Sequence, residues 1–419
     1  MIGMKETLVR VSRTRVFRRA RTVSHSPTRL DEADSGAGIA SGAPRRHRQD
    51  RNHRRRGGAV LTALLLLGIA AVAPVAATGH READPAPERR SVTDALRREV
   101  EVPADPQRVV TAGRAVLMIA DVLYAFEEAP ERIVGIGRIS QGRGTFVADL
   151  DPAFDEKTIF ERNVGPEQIV ATNPDLVILK SYMKESLGDP LSRFGIPVIY
   201  VELETPEQYQ RDILLLGRAL NEEVRAQSLA AYFADELDEI ERATASLSET
   251  ERPETLLLYY RGSGGEVSFQ VPPAGWIQTR IVEAAGGDPV WTDTVSGGGW
   301  QTVGFEQIAA WDPEAIAIVS YNDDVTEIRD RLRGESRWQS LRAVRNQRFY
   351  AFPGDYYSWD QPDTRWLLGV KWLATRLQPE LFDTTSILAE TEEFFRVVYG
   401  LDEERFDTLI APLLTGDLD

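Results

Sequence analysis

The segment GPEQIVATNPDLVIL at residues 165–179 has a counterpart in GFEQIAAWDPEAIAI at residues 304–318. Both copies follow a Val and carry Gly, Glu, Gln, Ile, Ala and Pro at matching positions. Each has the pattern of a short helix, a stop at Asn-Pro or Asp-Pro, and an apolar strand. The repetition predicts two similar lobes, each with the same helix-turn-strand segment at the equivalent position.

Short β-branched runs alternate with helical stretches around the first copy, which is the pattern of βα units. The strands are predicted at RVVTAG (108–113), RIVGIG (132–137), DLVILK (175–180) and IPVIYVEL (196–203), with a helix at 115–126. The alternation starts again after Pro253. There it predicts strands at TLLLYYRG (255–262) and QRFYAFPG (347–354), a helix at 275–287, and three amphipathic helices after residue 362.

Between the two halves, residues 206–248 carry apolar residues at helical spacing without an interior Pro. Thr205 is expected as the N-cap, and Gly217 and Asn221 are expected to divide the segment into two helices. The predicted fold class is therefore α/β, with two Rossmann-like βα lobes joined by a single long α-helix and a ligand cleft between the lobes. The predicted domains are a basic disordered extension (1–57), a signal peptide or membrane anchor (58–77), a linker (78–102), an amino-terminal lobe (103–220), the connecting helix (221–250) and a carboxyl-terminal lobe (251–415).

The apolar run AVLTALLLLGIAAVAPVAA at residues 59–77 follows the basic stretch RRHRQDRNHRRR. A basic flank, an apolar core and small residues at the end indicate a secretory signal. The same length also permits a single membrane-spanning anchor. Either alternative predicts that the rest of the chain lies outside the cytoplasm, in the periplasm or on the outer face of the cell membrane.

The exported part is strongly acidic. Residues 1–77 hold 15 Lys and Arg and 5 Asp and Glu, which leaves 34 basic and 60 acidic residues and a formal net charge of −26. Such a surface repels nucleic acid, so no nucleic-acid partner is expected. The chain has no Cys, which excludes disulfides, thiolate metal sites and a lipid-anchored cysteine.

The order of these features resembles the periplasmic substrate-binding proteins of ABC importers for ferric siderophores, haem and cobalamin. The resemblance covers roughly residues 100–400 and includes AGG at 285–287 and SRWQSLRAVRNQRFYAFP at 336–353. It implies a monomeric carrier without enzymatic activity that delivers its ligand to a permease dimer. It also implies that Glu167 and Glu306, one in each repeat, pair with arginines of that permease. Without the resemblance, each glutamate is a favourable charge at a helix N-terminus, worth about 0.3–1 kcal/mol. The implied small closure between the lobes rests on the resemblance as well.

Ligands of doubly wound sheets bind outside the carboxyl ends of the strands. The residues that follow the predicted strands are rich in cationic and aromatic side chains, with Gln141 and Arg143 close by. This pattern favours an anionic ligand with aromatic contacts. The candidate ligand-binding residues are Arg114, Arg138, Lys180, Tyr182, Tyr260, Arg261, Trp276, Trp300, Tyr321, Tyr357 and Trp359.

The four histidines are His25, His47, His53 and His80, all in or beside the leader segment. A histidine site for zinc, manganese or haem iron is therefore not expected, although ligation of iron by Tyr stays open. We expect no resident cofactor and a metal that arrives already chelated. A ferric siderophore fits the cationic residues best, cobalamin fits the aromatic residues nearly as well, and an oxyanion such as molybdate is a further alternative.

Two other classes of function compete with a binding protein. A two-lobed α/β enzyme such as a glycosyltransferase or a reductase is possible on fold grounds. However, the chain has no Walker loop, no GxGxxG after a strand, no GxSxG and no His beyond residue 80 for a triad. A membrane-tethered sensor would need a signalling module, and residues 1–57 contain none.

Overall fold

The computed structural model describes residues 88–263 and 266–418. The predicted extension and signal segment lie outside the described residues. The strands are β1 Arg89–Thr93, β2 Glu99–Pro103, β3 Val109–Thr111, β4 Ile133–Gly137, β5 Thr158–Phe160, β6 Leu176–Lys180, β7 Val198–Val201, β8 Glu254–Ser263, β9 Glu266–Val271, β10 Asp288–Pro289, β11 Gln301–Val303, β12 Ala315–Val319 and β13 Phe349–Ala351.

Helices connect most of these strands. They are α1 Val116–Leu123, α2 Ala129–Arg132, α3 Phe146–Leu150, α4 Pro166–Val170, α5 Asp189–Arg193, α6 Pro206–Leu220, α7 Glu223–Thr244, α8 Ile277–Ala284, α9 Phe305–Trp311, α10 Val325–Gly334, α11 Ser336–Gln339, α12 Arg342–Arg345, α13 Trp366–Leu377, α14 Ile387–Tyr399 and α15 Glu403–Leu409. In the described part of the chain, no helix combines the length and the apolar character that a bilayer span requires.

The amino-terminal lobe contains one parallel sheet in the order β5-β4-β3-β6-β7. The chain winds outward from β3 in both directions, so the strand order reverses there. This is the doubly wound arrangement, in which a crevice opens at the carboxyl end of the strand where the order reverses. The predicted fold class is confirmed in this lobe.

The carboxyl-terminal lobe has a mixed sheet in the order β11-β9-β8-β12-β13. Strands β8, β12 and β13 are parallel, whereas β9 is antiparallel to both β8 and β11. Strands β8 and β11 consequently run in the same direction. The second lobe is α/β as predicted, but the hairpin of β8 and β9 was not predicted.

Residues predicted as a linker form part of the lobe instead. Strands β1 and β2 pair as an antiparallel hairpin, and its Val92 and Val102 are buried. Arg90 donates hydrogen bonds to the carbonyl of Arg218, at the end of α6, and to Glu223. The alternation of buried and exposed residues in these strands fixes the hairpin to the lobe.

The predicted helix between the lobes is present as two helices, α6 and α7. Thr205 accepts a hydrogen bond from the backbone NH of Gln208, 3.3 Å away, as the N-cap prediction requires. Asn221 ends α6 in the left-handed conformation, with φ of 64°. At Gly217 an added Cβ would lie 2.1 Å from the Cβ of Ala226, so the two helices pack too closely there for a side chain.

Helix α7 is the connecting element. Its 22 residues span about 33 Å. It packs on α6 from one lobe and on α8 and α13 from the other. Helix α13 was predicted to be amphipathic, but it is buried on nearly all sides, because it packs against α7, α8 and α14.

A buried ion cluster ties the two lobes together. The Arg365 side chain is fully buried, and its guanidinium pairs with Asp121 of α1 and with Asp355, whose Oδ1 lies 2.7 Å from Nε. The guanidinium also lies 4.4 Å from the ring centroid of Phe146. Apolar side chains from both lobes form one continuous core around this cluster.

A loop of the first lobe also binds the second lobe through its backbone. The NH of Gly142 donates to the carbonyl of Tyr321 at 3.2 Å, and the NH of Arg143 donates to that of Tyr356 at 2.8 Å. The NH of Phe146 donates to the hydroxyl of Tyr357 at 3.1 Å. These contacts restrict the opening of the lobes.

A substitution at Gly142 tests how much this loop contributes to the contact between the lobes. Its φ is +85°, and an added Cβ would lie 2.2 Å from the carbonyl oxygen of Tyr356. Gly142→Ala should lower the free energy of unfolding by roughly 2–4 kcal/mol, from backbone strain plus the displaced loop. Urea denaturation measures the loss.

Gly195→Ala is the matched control, because Gly195 has a φ of +78° and nothing within 4 Å of an added Cβ. It should lose only about 1 kcal/mol, from backbone strain alone. Equal losses in the two variants would show that the loop does not hold the lobes.

Candidate ligand-binding cleft

A cavity of about 640 Å³ lies between the lobes. Its volume is within the range of about 300–1,000 Å³ that is usual for ligand sites. Its walls come from the carboxyl ends of strands in the first lobe and from the start of α8 and the end of β12 in the second. The lining residues are Gly113, Arg114, Ala115, Val116, Leu117, Met118, Arg138, Ile139, Ser140, Gln141, Arg162, Tyr182, Glu204, Trp276, Gln278, Gly298, Trp300, Tyr321, Gln361 and Pro362.

The first lobe contributes the N-terminus of α1. Gly113 has a φ of 90° and Ala115 a φ of 54°, so the chain turns sharply between β3 and α1. The left-handed conformation is uncommon for Ala. No side chain caps this helix, and its first residues line the cavity. Unpaired NH groups at the positive end of a helix favour an anion.

Three arginines stand on the same wall, and they differ in their partners. Arg138 pairs with Glu161 at 2.8 Å. Arg114 and Arg162 have no carboxylate partner among residues 88–263 and 266–418. All three side chains are exposed to solvent. The wall therefore carries two positive charges that a bound anion can neutralise.

Lys180 does not line the cavity, which corrects its expected position. Its side chain is 1% exposed, and its ammonium donates to the carbonyl of Glu202 and to the Glu204 carboxylate at 2.6 Å. Burial lowers the pKa of Lys180, and the pairing with Glu204 opposes that effect. Glu204 itself lines the cavity, so Lys180 positions a residue of the cleft.

The second lobe contributes an aromatic wall. Tyr259 stacks on Tyr321 with ring centroids 4.5 Å apart, and Trp300 lies 5.0 Å from Tyr259. Trp276 meets Trp300 edge to face at 5.9 Å. Tyr321 donates its hydroxyl to Asp360 at 2.8 Å. The cleft is thus cationic on one side and aromatic on the other.

Six of the eleven predicted residues line the cavity, and a direct role of each in binding stays a prediction. The six are Arg114, Arg138, Tyr182, Trp276, Trp300 and Tyr321.

Four other predicted residues lie outside the cavity, in addition to Lys180. Successive residues of a strand point to opposite faces, so Tyr260 turns away from the side of Tyr259 and accepts a hydrogen bond from Arg331. Arg261, one residue further along β8, is exposed outside the cavity. Tyr357 and Trp359 are buried where the lobes meet. Trp359 donates to Asp355 at 2.7 Å, so both aromatic residues support the lobe contact.

The lining residues that were not predicted include Arg162, Glu204 and Gln278. Arg162 follows β5, a strand of three residues that is too short to predict from apolar pattern. Glu204 comes directly after the predicted strand at 196–203 and could have been found by the rule that identified the other strand ends. Gln278 was within a predicted helix, but its orientation toward the cavity gives no sequence signal.

The repeat glutamates lie at equivalent positions. Glu167 begins α4 after the edge strand β5, and Glu306 begins α9 after the edge strand β11. An added Cβ at the preceding glycine would lie 3.1 Å from the glutamate carboxylate in each copy. Both glutamates are exposed, and neither pairs with a Lys or Arg in the part of the chain that the structure describes.

Nothing among the described residues resembles a metal centre. No group of three or more Asp, Glu or His side chains is close enough to hold an ion there. Chemically, the cleft offers cationic, aromatic and hydrogen-bonding contacts.

Comparison with known proteins agrees with this architecture. Residues 152–356 match the family described as periplasmic binding protein. The molybdate-binding protein MolA of Haemophilus influenzae is 22% identical over 329 residues, covering 74% of this chain and 91% of MolA.

Two solved structures have the same fold. An ABC transporter solute-binding protein from Sulfurospirillum deleyianum aligns with a TM-score of 0.62 and 24% identity, covering 76% of this chain and 98% of its own. A periplasmic solute-binding protein from Veillonella parvula aligns with a TM-score of 0.61 and 22% identity, covering 77% and 97%. These comparisons show the fold, together with a family match over residues 152–356.

Asp360, which accepts a hydrogen bond from the cleft residue Tyr321, makes the stability of the protein depend on pH. Burial raises the pKa of Asp360 from 3.8 to about 6. Between these values the unfolded chain is ionised while the folded chain holds its proton, so stability falls as the pH rises through this window. The cost is fully present above pH 6 and absent below pH 3.8.

We therefore expect Asp360→Asn to weaken this dependence. On going from pH 7 to pH 4.5, the free energy of unfolding should rise by roughly 1–3 kcal/mol more in the wild type than in the variant. Urea denaturation at both pH values measures it, and the comparison cancels the contribution of surface carboxylates. The same change in both proteins would contradict the shifted pKa.

Proposed function

We propose that this chain, whose residues 152–356 match the periplasmic binding protein family, captures an anionic metal chelate outside the cytoplasm and delivers it to an ABC importer. A ferric siderophore is the chelate that the site favours. The observation that carries this proposal is the cleft itself, with unpaired arginines on one wall and aromatic rings on the other.

The charge distribution supports an anionic ligand. The chain beyond residue 77 has a formal charge of −26, yet its central cavity presents Arg114 and Arg162 without partners. Positive charge concentrated in a cleft of an acidic protein attracts anions locally. The uncapped start of α1 adds NH donors at the same wall.

The size and the aromatic wall support a chelate rather than a small ion. A tetrahedral oxyanion would fill a small part of 640 Å³ and would leave the cavity surface of Trp276 and Trp300 without ligand contacts. Aromatic ligand groups, such as the rings of a catecholate, fit edge to face against these side chains. With such a chelate, both the cationic wall and the aromatic wall of the cavity contribute to binding.

The residues also favour a metal that arrives already bound. The described part of the chain holds no cluster of metal-ligating side chains and no His. Recognition then goes through the chelator and its charge. No resident cofactor is required, and the matched family of binding proteins supports transport without enzymatic chemistry.

Molybdate is the second candidate. The relative MolA is named a molybdate-binding protein, and the two unpaired arginines would also suit an oxyanion. Cobalamin remains an alternative because of the aromatic wall. A binding panel separates these ligands.

Arg114→Gln tests the cationic wall. We expect a ferric tris(catecholate) to quench the fluorescence of Trp276 and Trp300, and the variant to bind it at least tenfold more weakly, about 1.4 kcal/mol. The panel also includes a ferric tris(hydroxamate), cyanocobalamin and molybdate. Arg193→Gln removes the same charge from an exposed position on α5 and should bind like the wild type.

If Arg114→Gln and Arg193→Gln bind alike, the cleft is not the site. If the wild type binds molybdate alone, the ligand is an oxyanion and the chelate proposal fails.

The repeat glutamates are proposed to dock the loaded protein on its permease. Each stands at the start of a helix at the carboxyl edge of its sheet, the edge from which the cleft is built. Two exposed, unpaired carboxylates, one per lobe, suit a receptor with two-fold related basic patches. We propose that the protein acts as a monomer against a permease dimer.

The double variant Glu167→Arg, Glu306→Arg tests docking. It should bind the ferric chelate as the wild type does but abolish iron uptake in cells that carry it as their only copy, because like charges repel at the interface. Radioactive iron accumulation is the measurement.

The control double variant is Glu131→Arg, Glu380→Arg. Glu131 precedes β4, and Glu380 follows α13, whose end bonds to Arg348 beside the start of β13. Both sites are at the amino edges of the sheets, so uptake should persist. Loss of chelate affinity in the first double variant would place the repeat glutamates in folding or binding instead of docking.

A further inference from the structure

Glu204 places a negative charge in a cavity whose other charged residues are arginines. It lies between β7 and α6, and it lines the cavity. Its side chain keeps 30% of its surface accessible. Among the described residues that line the cavity, Glu204 is the one acidic side chain. A ligand in the cleft can therefore reach this carboxylate.

A buried lysine holds the Glu204 carboxylate in position. The Lys180 side chain is 1% exposed, and its ammonium donates to Oε1 of Glu204 at 2.6 Å and to the carbonyl of Glu202. The backbone NH of Glu204 donates to Oε1 of Gln208 at 2.9 Å. The other carboxylate oxygen, Oε2, is accessible and accepts no hydrogen bond within residues 88–263 and 266–418. One oxygen is thus fixed by the protein, and the other is available to a ligand.

The neighbouring charges leave Glu204 incompletely neutralised. Lys180 interacts electrostatically with Glu202 and Asp212 as well as with Glu204. Arg211 pairs with Glu202 at 3.1 Å and with Asp212 at 2.8 Å. Two cations therefore face three carboxylates in this cluster. One negative charge remains, and Glu204 is the member of the cluster that lines the cavity.

The surroundings of Tyr182 show that this negative charge adjoins the cationic wall. Burial and the Glu204 carboxylate raise the pKa of Tyr182 to about 12, against the opposing effect of Arg114 and Arg162. All four residues line the cavity. A ligand beside Tyr182 therefore meets a carboxylate as well as two guanidinium groups.

A cleft with both signs of charge distinguishes anions by their substituents. A carboxylate that lacks a partner attracts a cationic group and repels a ligand that presents only anionic oxygens. Molybdate is a ligand of the second kind. A chelate with an anionic metal centre and an ammonium substituent can satisfy the arginines and Glu204 together.

We propose that Glu204 pairs with an ammonium group of the ligand, so that the cleft selects anionic chelates that carry a cationic substituent. This inference rests on the proposed function and narrows it. The arginines recognise the negative centre of the chelate, and Glu204 recognises the ammonium group. Lys180 acts indirectly, by positioning the carboxylate.

Glu204→Gln tests the inference, because Gln keeps the shape of the side chain and removes its charge. The probes are two ferric tris(catecholate) chelates with one side arm of equal length, which ends in an ammonium group or in a methyl group. The exported protein, freed of bound ligand, is titrated with each by tryptophan fluorescence. The wild type should bind the ammonium chelate roughly fivefold or more tightly, because an ion pair in a cavity is screened less than an exposed one. Glu204→Gln should lose this preference.

Glu202→Gln is the matched control. The Glu202 side chain is also 30% exposed, but it pairs with Arg211 at 3.1 Å outside the cavity, so this variant should keep the wild-type preference. Circular dichroism establishes that each variant is folded. The comparison of the two chelates on the wild type needs no variant, so it tests the inference even if Glu204→Gln does not fold.

The outcomes separate this inference from the proposed function. If the wild type binds both chelates equally well, the ammonium contact is wrong while the chelate function stands. A preference that persists in folded Glu204→Gln assigns the contact to another residue and overturns the inference. Loss of the preference in Glu202→Gln as well would attribute it to the acidic charge of the whole protein, which also overturns the inference. If the wild type binds neither chelate, the proposed function fails and the inference fails with it.

Discussion

The buried ion cluster around Arg365 is the constraint on which the two-lobed structure depends. One guanidinium without solvent contact pairs with Asp121 from the first lobe and Asp355 from the second, and its backbone NH bonds to Asp363. Burial raises the pKa of Asp121 to about 6. Removing one partner of such a cluster leaves buried charge uncompensated, which typically costs about 3–5 kcal/mol. The lobes are therefore held together at the base of the cleft, and α7 spans them along the outside.

A fixed lobe arrangement means that the cleft is largely formed before a ligand enters. Preorganised contacts lower the free energy that binding must spend on ordering side chains. The parallel strands of the first lobe end at the cavity with Arg114, Arg138 and Arg162, while the second lobe presents aromatic rings. The remaining charge of the protein is mostly acidic and lies on its surface. The same topology that builds the cleft places one repeat glutamate beside the edge strand of each sheet.

Much of this arrangement could be predicted from the sequence. The alternation of strands and helices and the repeated segment indicated two lobes, and the strand-end rule located six cavity residues. It failed where the fold decides the direction of a side chain. Tyr259 and Tyr260 are adjacent aromatic residues on β8, and only the sheet shows which one faces the cavity side. Lys180 and Trp359 lie near strand ends, as the predicted ligand-binding residues do. Both side chains are buried, however, and they support neighbouring residues.

The central claim, that the cleft carries an anionic metal chelate, is tested most directly by what the protein holds when it is purified from its own host. Native mass spectrometry and the visible absorption spectrum of the same sample identify a bound species without assuming its chemistry. The account predicts a coloured adduct whose mass corresponds to one metal and an organic chelator. An adduct with the mass of molybdate, or a colourless protein that stays empty after iron-limited growth, would contradict it.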